Sequence, residues 1–159
     1  MMRFLVFAAL TAASPAFAQT PAAPTCVSAG VWSYSGTGKG GATANAADKS
    51  TVLEFTPDKK SKDAPTAFAM TVDAGPAGVY QLNADFDVKH LSDDGLFTLT
   101  GATSAIPGRD FDVKVAKGDD GSSSFSRPVT TTGQPFQVEF HSKGAVSMTV
   151  RNVKLCRLR

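Results

Sequence analysis

The chain has 159 residues, 42% of them hydrophobic and 19% charged, which fits one soluble globular domain and excludes an intrinsically disordered chain. Its 16 Lys and Arg against 14 Asp and Glu leave a net charge of +2, too small for the basic surface that binds nucleic acids or acidic membranes. Two His and two Cys are too few for most metal centres or Cys/His catalytic sites, so we expect no enzyme, no catalytic residue, no metal ligand and no cofactor.

The first 18 residues have the three parts of a secretory signal peptide. Arg3 gives the positive start, an apolar run of about ten residues follows, and Ala-Phe-Ala precedes a cleavage site expected after Ala18. An apolar run of this length is well short of the ~20 residues that span a bilayer. We therefore expect residues 1–18 to be removed. Because short, Ala-rich signals are typical of bacteria, we expect the mature chain, with no membrane span, in the periplasm or outside the cell.

The mature chain divides into residues 19–25, a flexible tether rich in Pro and Ala, and residues 26–159, a single domain. Cys26 opens that domain and Cys156 lies close to its end. In an oxidising compartment this pair predicts one disulfide that joins the two ends of the domain. A reactive thiol pair is disfavoured, because redox enzymes place their cysteines close in sequence, as in Cys-x-x-Cys.

Residues 36–48 are rich in Gly, Ala and Asn, a composition that predicts a flexible loop. A glycine and a lysine adjoin here, but a phosphate-binding loop needs Ser or Thr after the lysine, and Gly40 follows Lys39. That motif also needs a glycine where this chain has Ser33. We therefore reject phosphate binding by this segment.

Beyond residue 48 the dominant pattern is an alternation of apolar and polar residues, which is typical of strands with one buried face. The alternation is clearest over residues 79–88, where Tyr80 begins the apolar face and Gln81 the polar one. Similar patterns predict further strands at residues 51–55, 68–72, 96–100, 111–115, 124–129, 136–140 and 145–158.

The apolar residues of the last predicted strand change from even to odd numbers: Val146, Met148 and Val150, then Val153 and Leu155. A β-bulge at Arg151 and Asn152 explains the change, because one extra residue returns both halves of the strand to the same face. Short antiparallel strands with aromatic inner faces predict an all-β fold. We expect a two-sheet antiparallel β-sandwich of the jelly-roll type, with about nine strands and little or no helix.

Three segments carry motifs that point to a family. They are MTVDAGPAGVYQLNADFDV (residues 70–88), the ending GAVSMTVRNVKLCRL (residues 144–158), and Trp32 with the glycines that follow it. These segments resemble the galactose-binding-like jelly rolls and carbohydrate-binding modules. The resemblance is one of fold, covers nearly all of the mature chain, and implies a domain of the kind that binds sugars.

The resemblance also implies where a ligand would bind. Sugar rings stack on exposed aromatic side chains, so Trp32 and Tyr34 are the candidate ligand-binding residues, with a packed position in the core as the alternative for Trp32. Tyr80 falls on an apolar strand face and is expected in the core. The family's structural calcium site often uses an acidic residue of the last strand, where this chain has Asn152, so calcium binding is without support.

These observations together predict a secreted or periplasmic, non-catalytic module that recognises a glycan or another cell-surface component. The alternative is a periplasmic structural or protein-interaction domain with no small-molecule ligand, which would dock onto an envelope protein through an exposed edge strand.

Overall fold

The computed structural model describes residues 25–28, 30–36, 38–58 and 65–158, and within them it has 12 strands and no helix. The strands are β1 (Cys26–Ser28), β2 (Trp32–Ser35), β3 (Gly38–Asn45), β4 (Ser50–Pro57), β5 (Pro65–Val72), β6 (Gly78–Leu91), β7 (Gly95–Thr100), β8 (Ala102–Ser104), β9 (Val113–Val115), β10 (Gly121–Thr131), β11 (Phe136–Lys143) and β12 (Val146–Arg157). The prediction of about nine strands is therefore too low. The predicted signal peptide, residues 1–18, and nearly all of the tether lie outside the described residues.

The strands form two antiparallel sheets that pack as a sandwich. The seven-stranded sheet has the order β3-β4-β12-β6-β10-β8, and β1 adds to it by pairing with β12. The five-stranded sheet has the order β2-β5-β11-β7-β9. Neighbours such as β6 and β12 are distant in sequence, so most of the pairing is long-range. The predicted fold class, an all-β antiparallel sandwich, is confirmed. Within the described residues no helix has the length and apolar character that crossing a membrane requires.

Strand β6 shows how the alternation in the sequence becomes two sheet faces. Tyr80 and Leu82 are buried, and every second residue from there to Val88 is buried as well. The intervening residues, from Gln81 to Asp87, are only partly covered and lie on the outer face. The apolar side chains on this face are removed from water by the second sheet, which is the main force that holds the sandwich together.

The core between the sheets is mainly aromatic. Eight Phe are buried there, namely Phe55, Phe68, Phe86, Phe97, Phe111, Phe125, Phe136 and Phe140. Phe97 is central, because its ring centroid lies 4.8 Å from that of Phe140 in its own sheet. It also lies 5.5 Å and 5.3 Å from the centroids of Phe86 and Phe125 in the opposite sheet. These distances are typical of favourable aromatic pairs.

The irregularity in β12 lies where the sequence predicts it. The register of β12 against β6 shifts between Arg151 and Lys154, and Asn152 has a left-handed backbone with φ of 52°. Beyond the shift, Leu155 is fully buried and Cys156 faces β1. Cys26 is the direct cross-strand partner of Cys156, and the two form a disulfide. The predicted bulge and the predicted disulfide are both confirmed.

The glycine-rich segment is where the sequence-based prediction is wrong. Residues 38–45 form β3, an eight-residue edge strand paired along its whole length with β4, rather than a flexible loop. The glycines are needed because aromatic rings lie directly beneath the strand. A Cβ atom at Gly40 would lie 2.9 Å from the Tyr34 ring, and one at Gly38 would lie 2.6 Å from the Phe55 ring.

Neighbouring glycines of β3 provide a matched test of this packing. We expect Gly40→Ala to lower the free energy of unfolding by about 1–3 kcal/mol, because its methyl group would overlap the Tyr34 ring. Gly41→Ala should leave stability unchanged or raise it by up to about 1 kcal/mol, since nothing lies within 4 Å of its added Cβ. Urea unfolding of the two variants measures the difference. Equal stabilities would contradict the close packing of β3 on Tyr34.

Candidate functional site

A cleft of about 490 Å³ opens at one end of the sandwich, where the two sheets meet. One wall is the turn between β3 and β4, residues 46–49, and another is the bulge of β12. Its apolar lining includes Trp32 and Met70 from the five-stranded sheet and Val150 and Val153 from β12. The cleft therefore combines apolar and polar groups, as pockets for small polar ligands usually do.

The turn between β3 and β4 is held rigid by its own side chains. Asp48 Oδ1 accepts hydrogen bonds from the hydroxyl of Ser50 at 2.7 Å and from its backbone N–H at 3.0 Å. Asn45 Oδ1 accepts another at 3.1 Å from the N–H of Ala47. The bonds from Ser50 hold the pKa of Asp48 below its ordinary value, so this carboxylate stays charged. One wall of the cleft is thus built in advance of any ligand.

Two residues that line the cleft have left-handed backbones. They are Lys49 in the turn, with φ of 54°, and Asn152 in the bulge, with φ of 52°. Within the described ranges they are the two non-glycine residues with positive φ. Few non-glycine residues adopt the left-handed conformation, and those that do are concentrated at functional sites. The cleft therefore contains both of these unusual backbone positions.

No family model and no curated protein matches this chain. Among solved structures, the enzymatically active domain of bacteriophage CBA120 tailspike protein 4 matches at a TM-score of 0.53 and 13% identity. That match covers 79% of this chain and 19% of the tailspike chain, so this chain spans about a fifth of that protein. An identity this low shows likeness of fold alone.

Carbohydrate-binding modules are also among the structures found. A family 61 module solved with β-1,4-galactotriose has a TM-score of 0.48 and 15% identity, over 79% of this chain and 88% of that one. A mannan-recognising module of family 27 has a TM-score of 0.47 and 10% identity, over 87% and 100%. Modules of this class are what the resemblance predicts. The likeness is one of fold.

The two candidate ligand-binding aromatics lie in different places. Trp32 is only 4% exposed, and its remaining surface lines the cleft. Tyr34 is half-buried against Phe55 and Phe68, beneath the glycines of β3, and does not line the cleft. Its buried hydroxyl has no hydrogen-bond partner among the described residues, and burial raises the pKa of that hydroxyl. A ligand-binding role for either residue stays a prediction, whereas Tyr80 is buried as expected.

Sequence reasoning missed Asn152 and Lys154 as cleft residues. It used Asn152 only to place the bulge and to question calcium binding, although both residues line the cleft. The change of apolar phase in β12 was the available signal, because a bulge at the end of a sheet re-aims the side chains around it. Nothing in the sequence indicated which turn would face that bulge.

Two further polar contacts lie away from the cleft. His141 and Glu139 contact each other at 2.9 Å on the outer face of the five-stranded sheet. Asp94 Oδ1 accepts a hydrogen bond from the N–H of Lys117 at 2.9 Å, which joins two turns. In the part of the chain that the structure describes, no three His, Cys, Asp or Glu side chains gather as a metal site would require.

Trp32 reports on this end of the sandwich, because it is the single Trp of the chain. We expect a blue-shifted emission maximum and weak quenching by acrylamide, since the indole is 4% exposed. Unfolding in urea should move the emission to the red and make the quenching strong. A red maximum with easy quenching in the folded protein would contradict the packing of Trp32 against the cleft.

Proposed function

We propose that this chain is a non-catalytic, glycan-binding module of the periplasm or the cell exterior, and that the cleft beside Trp32 holds the sugar. The observation that carries the proposal is the cleft itself, with its fixed polar turn, its polar bulge and the apolar edge between them. Sugars present hydroxyl groups around an apolar ring face, and this lining offers partners for both.

Recognition in this cleft would depend more on hydrogen bonds than on stacking. In the described ranges every Trp, Phe and Tyr side chain is buried except Tyr34, which is half-buried, so a flat aromatic platform is not offered to solvent. The cleft offers instead the amide of Asn152 and the ammonium groups of Lys49 and Lys154. Such groups fix the orientation of sugar hydroxyls and so give selectivity.

The non-catalytic part of the proposal is supported by the same lining. Glycoside hydrolysis ordinarily uses a pair of carboxyl groups, one acting as the acid and the other as base or nucleophile. Among the described residues that line the cleft, Asp48 is the one carboxylate, and Ser50 already donates two hydrogen bonds to it. The single disulfide supports an oxidising location outside the cytoplasm.

The test is retention of the protein on immobilised polysaccharides of neutral, acidic and amino-sugar composition, with and without calcium. We expect retention on at least one of them. Ala46→Arg, which places a long side chain in the wall of the cleft, should weaken that binding about tenfold or more. Ala116→Arg is the matched control, because Ala116 is an exposed turn residue that does not line the cleft.

Two results would contradict the proposal. One is the absence of retention on every polysaccharide, and the other is equal weakening by Ala46→Arg and Ala116→Arg. Capture of a stable protein partner by a chain that retains no polysaccharide would support the alternative, a protein-interaction domain.

A further inference from the structure

A second hollow lies outside the cleft, on the outer face of the seven-stranded sheet. It has a volume of about 320 Å³ and is lined by Asp85, Arg151 and the serines at positions 122–124. The pairing of β10 with β6 places Ser124 directly opposite Asp85. We call this feature the serine hollow. Its lining consists of hydroxyl, carboxylate and guanidinium groups.

The bulge of β12 joins the cleft to the serine hollow. In a regular strand Asn152 would follow Val150 into the core, but the bulge turns its side chain outward. Asn152 lines the cleft, and its Nδ2 donates a hydrogen bond of 2.8 Å to Asp85 Oδ2 in the serine hollow. One hydrogen bond therefore links a residue of the cleft to a residue of the serine hollow.

Arg151 lies on the path between the two features. It lines the serine hollow, and its charge adds to the hydrogen bonds from Ser50 that lower the pKa of Asp48 in the cleft wall. Arg151 forms no ion pair with any residue that the structure describes. Its guanidinium donors are therefore available to a ligand. The strand register places Arg151 opposite Asp85, and Asp85 opposite Ser124, so the three residues lie side by side across neighbouring strands.

We propose that the cleft and the serine hollow form one continuous binding surface, and that its ligand is an oligosaccharide several units long. One unit occupies the cleft, and the next units cross Asn152 and Arg151 to reach Ser124. This inference rests on the proposed function and adds the length and the direction of the ligand. A chain of sugars offers hydroxyl pairs at regular intervals, which matches a row of donors and acceptors on a sheet face.

The dependence of affinity on chain length tests the inference. The probes are glucose, galactose and mannose, each as the monosaccharide and as its β-1,4-linked tetramer, measured by titration calorimetry. For a sugar that binds, we expect the tetramer to bind about tenfold tighter or more, beyond the statistical gain of about fourfold from four equal units. Amide NMR shifts should change at Ser122 and Ser124 as well as around Trp32.

Variants separate the extended surface from the cleft. Arg151→Met keeps the aliphatic stem but removes the donors. It should bring the ratio of the monosaccharide to the tetramer dissociation constant down to the statistical value of about fourfold. Ser124→Val, on a different strand, should reduce the same ratio. Lys114→Met is the matched control, because it removes an exposed cation from β9 in the opposite sheet and should leave the ratio unchanged.

The outcomes distinguish this inference from the proposed function. A tetramer that binds no more than about fourfold tighter than the monosaccharide, with shifts confined to the cleft, would overturn the extended surface and leave the glycan-binding function standing. A ratio that Arg151→Met does not change would also overturn it. No binding of any of the six probes, together with no retention on polysaccharides, would overturn both.

Discussion

Replacing Cys26 and Cys156 by serine is expected to lower the free energy of unfolding by about 2–5 kcal/mol. The disulfide joins residues 130 positions apart, and closing so long a loop removes much of the conformational freedom of the unfolded chain. The loop-entropy relation gives about 5 kcal/mol as an upper value for this separation. Since small domains have a net stability of about 5–15 kcal/mol, the bond would supply a large share of it.

The structure also predicts which strand loses its protection first when the disulfide is removed. Strand β1 has three residues, and among the described strands it pairs with β12 alone, so we expect its position to depend strongly on the disulfide. In the double-serine variant we expect the amide of Val27 to exchange rapidly with solvent. The amides of β6, between two long strands, should stay protected until global unfolding.

Reductant provides the control for this prediction. Urea unfolding of the parent protein in dithiothreitol should give the stability of the double-serine variant, whereas reductant should not affect the variant itself. Ellman titration of the unfolded, unreduced parent should find no free thiol. Two free thiols, or a variant as stable as the oxidised parent, would contradict the role of the bond.

The strands of the core could be predicted because each has one buried face. Over β6 the burial follows the alternation in the sequence residue by residue, and the bulge of β12 could be placed from the phase of five apolar residues. Both predictions use only the period of a strand and the need to bury apolar side chains. The pairing order of the strands was not predicted, because alternation carries no information about neighbours.

Strand β3 could not be predicted because its sequence has neither apolar alternation nor residues that favour strands. Its glycines leave room for the rings of Tyr34 and Phe55, which lie directly beneath the strand. In the sequence, glycines required for close packing look the same as glycines of a flexible loop. Only the three-dimensional position of the rings distinguishes the strand from the loop. The short strands β1 and β8 were missed for a similar reason, since three residues are too few to show a period.

The cleft could not be predicted because it is made from four separate parts of the chain. Trp32 was a candidate as an exposed stacking residue, and the structure places it in the core with one edge toward the cleft. Most of the turn at residues 46–49 fell within the predicted loop of residues 36–48, and that prediction did not show that the turn and the bulge would line one cleft. A single strand pattern shows which face is buried but not which strand ends meet.

Phe97→Ala is expected to lower the free energy of unfolding by about 3–5 kcal/mol, the largest effect of a single substitution that we predict. Phe97 is fully buried, and its ring contacts Phe140 in its own sheet and Phe86 and Phe125 in the other. Removing the ring leaves a cavity shared by both sheets, and neighbours held by two sheets cannot collapse into it easily.

Phe111→Ala is the matched control, because it removes the same side chain from the margin of the core. Phe111 is 6% exposed, and its ring packs edge-on against that of Phe125 at 5.7 Å. It follows residues 105–110, which form no strand, so the chain there can relax into the space, and the loss should be smaller. If Phe97→Ala does not fold, Phe97→Leu can be measured in its place. Its free energy of unfolding should lie between that of the parent and that of Phe97→Ala. Equal losses for Phe97→Ala and Phe111→Ala would contradict the conclusion that the ring of Phe97 holds the two sheets together.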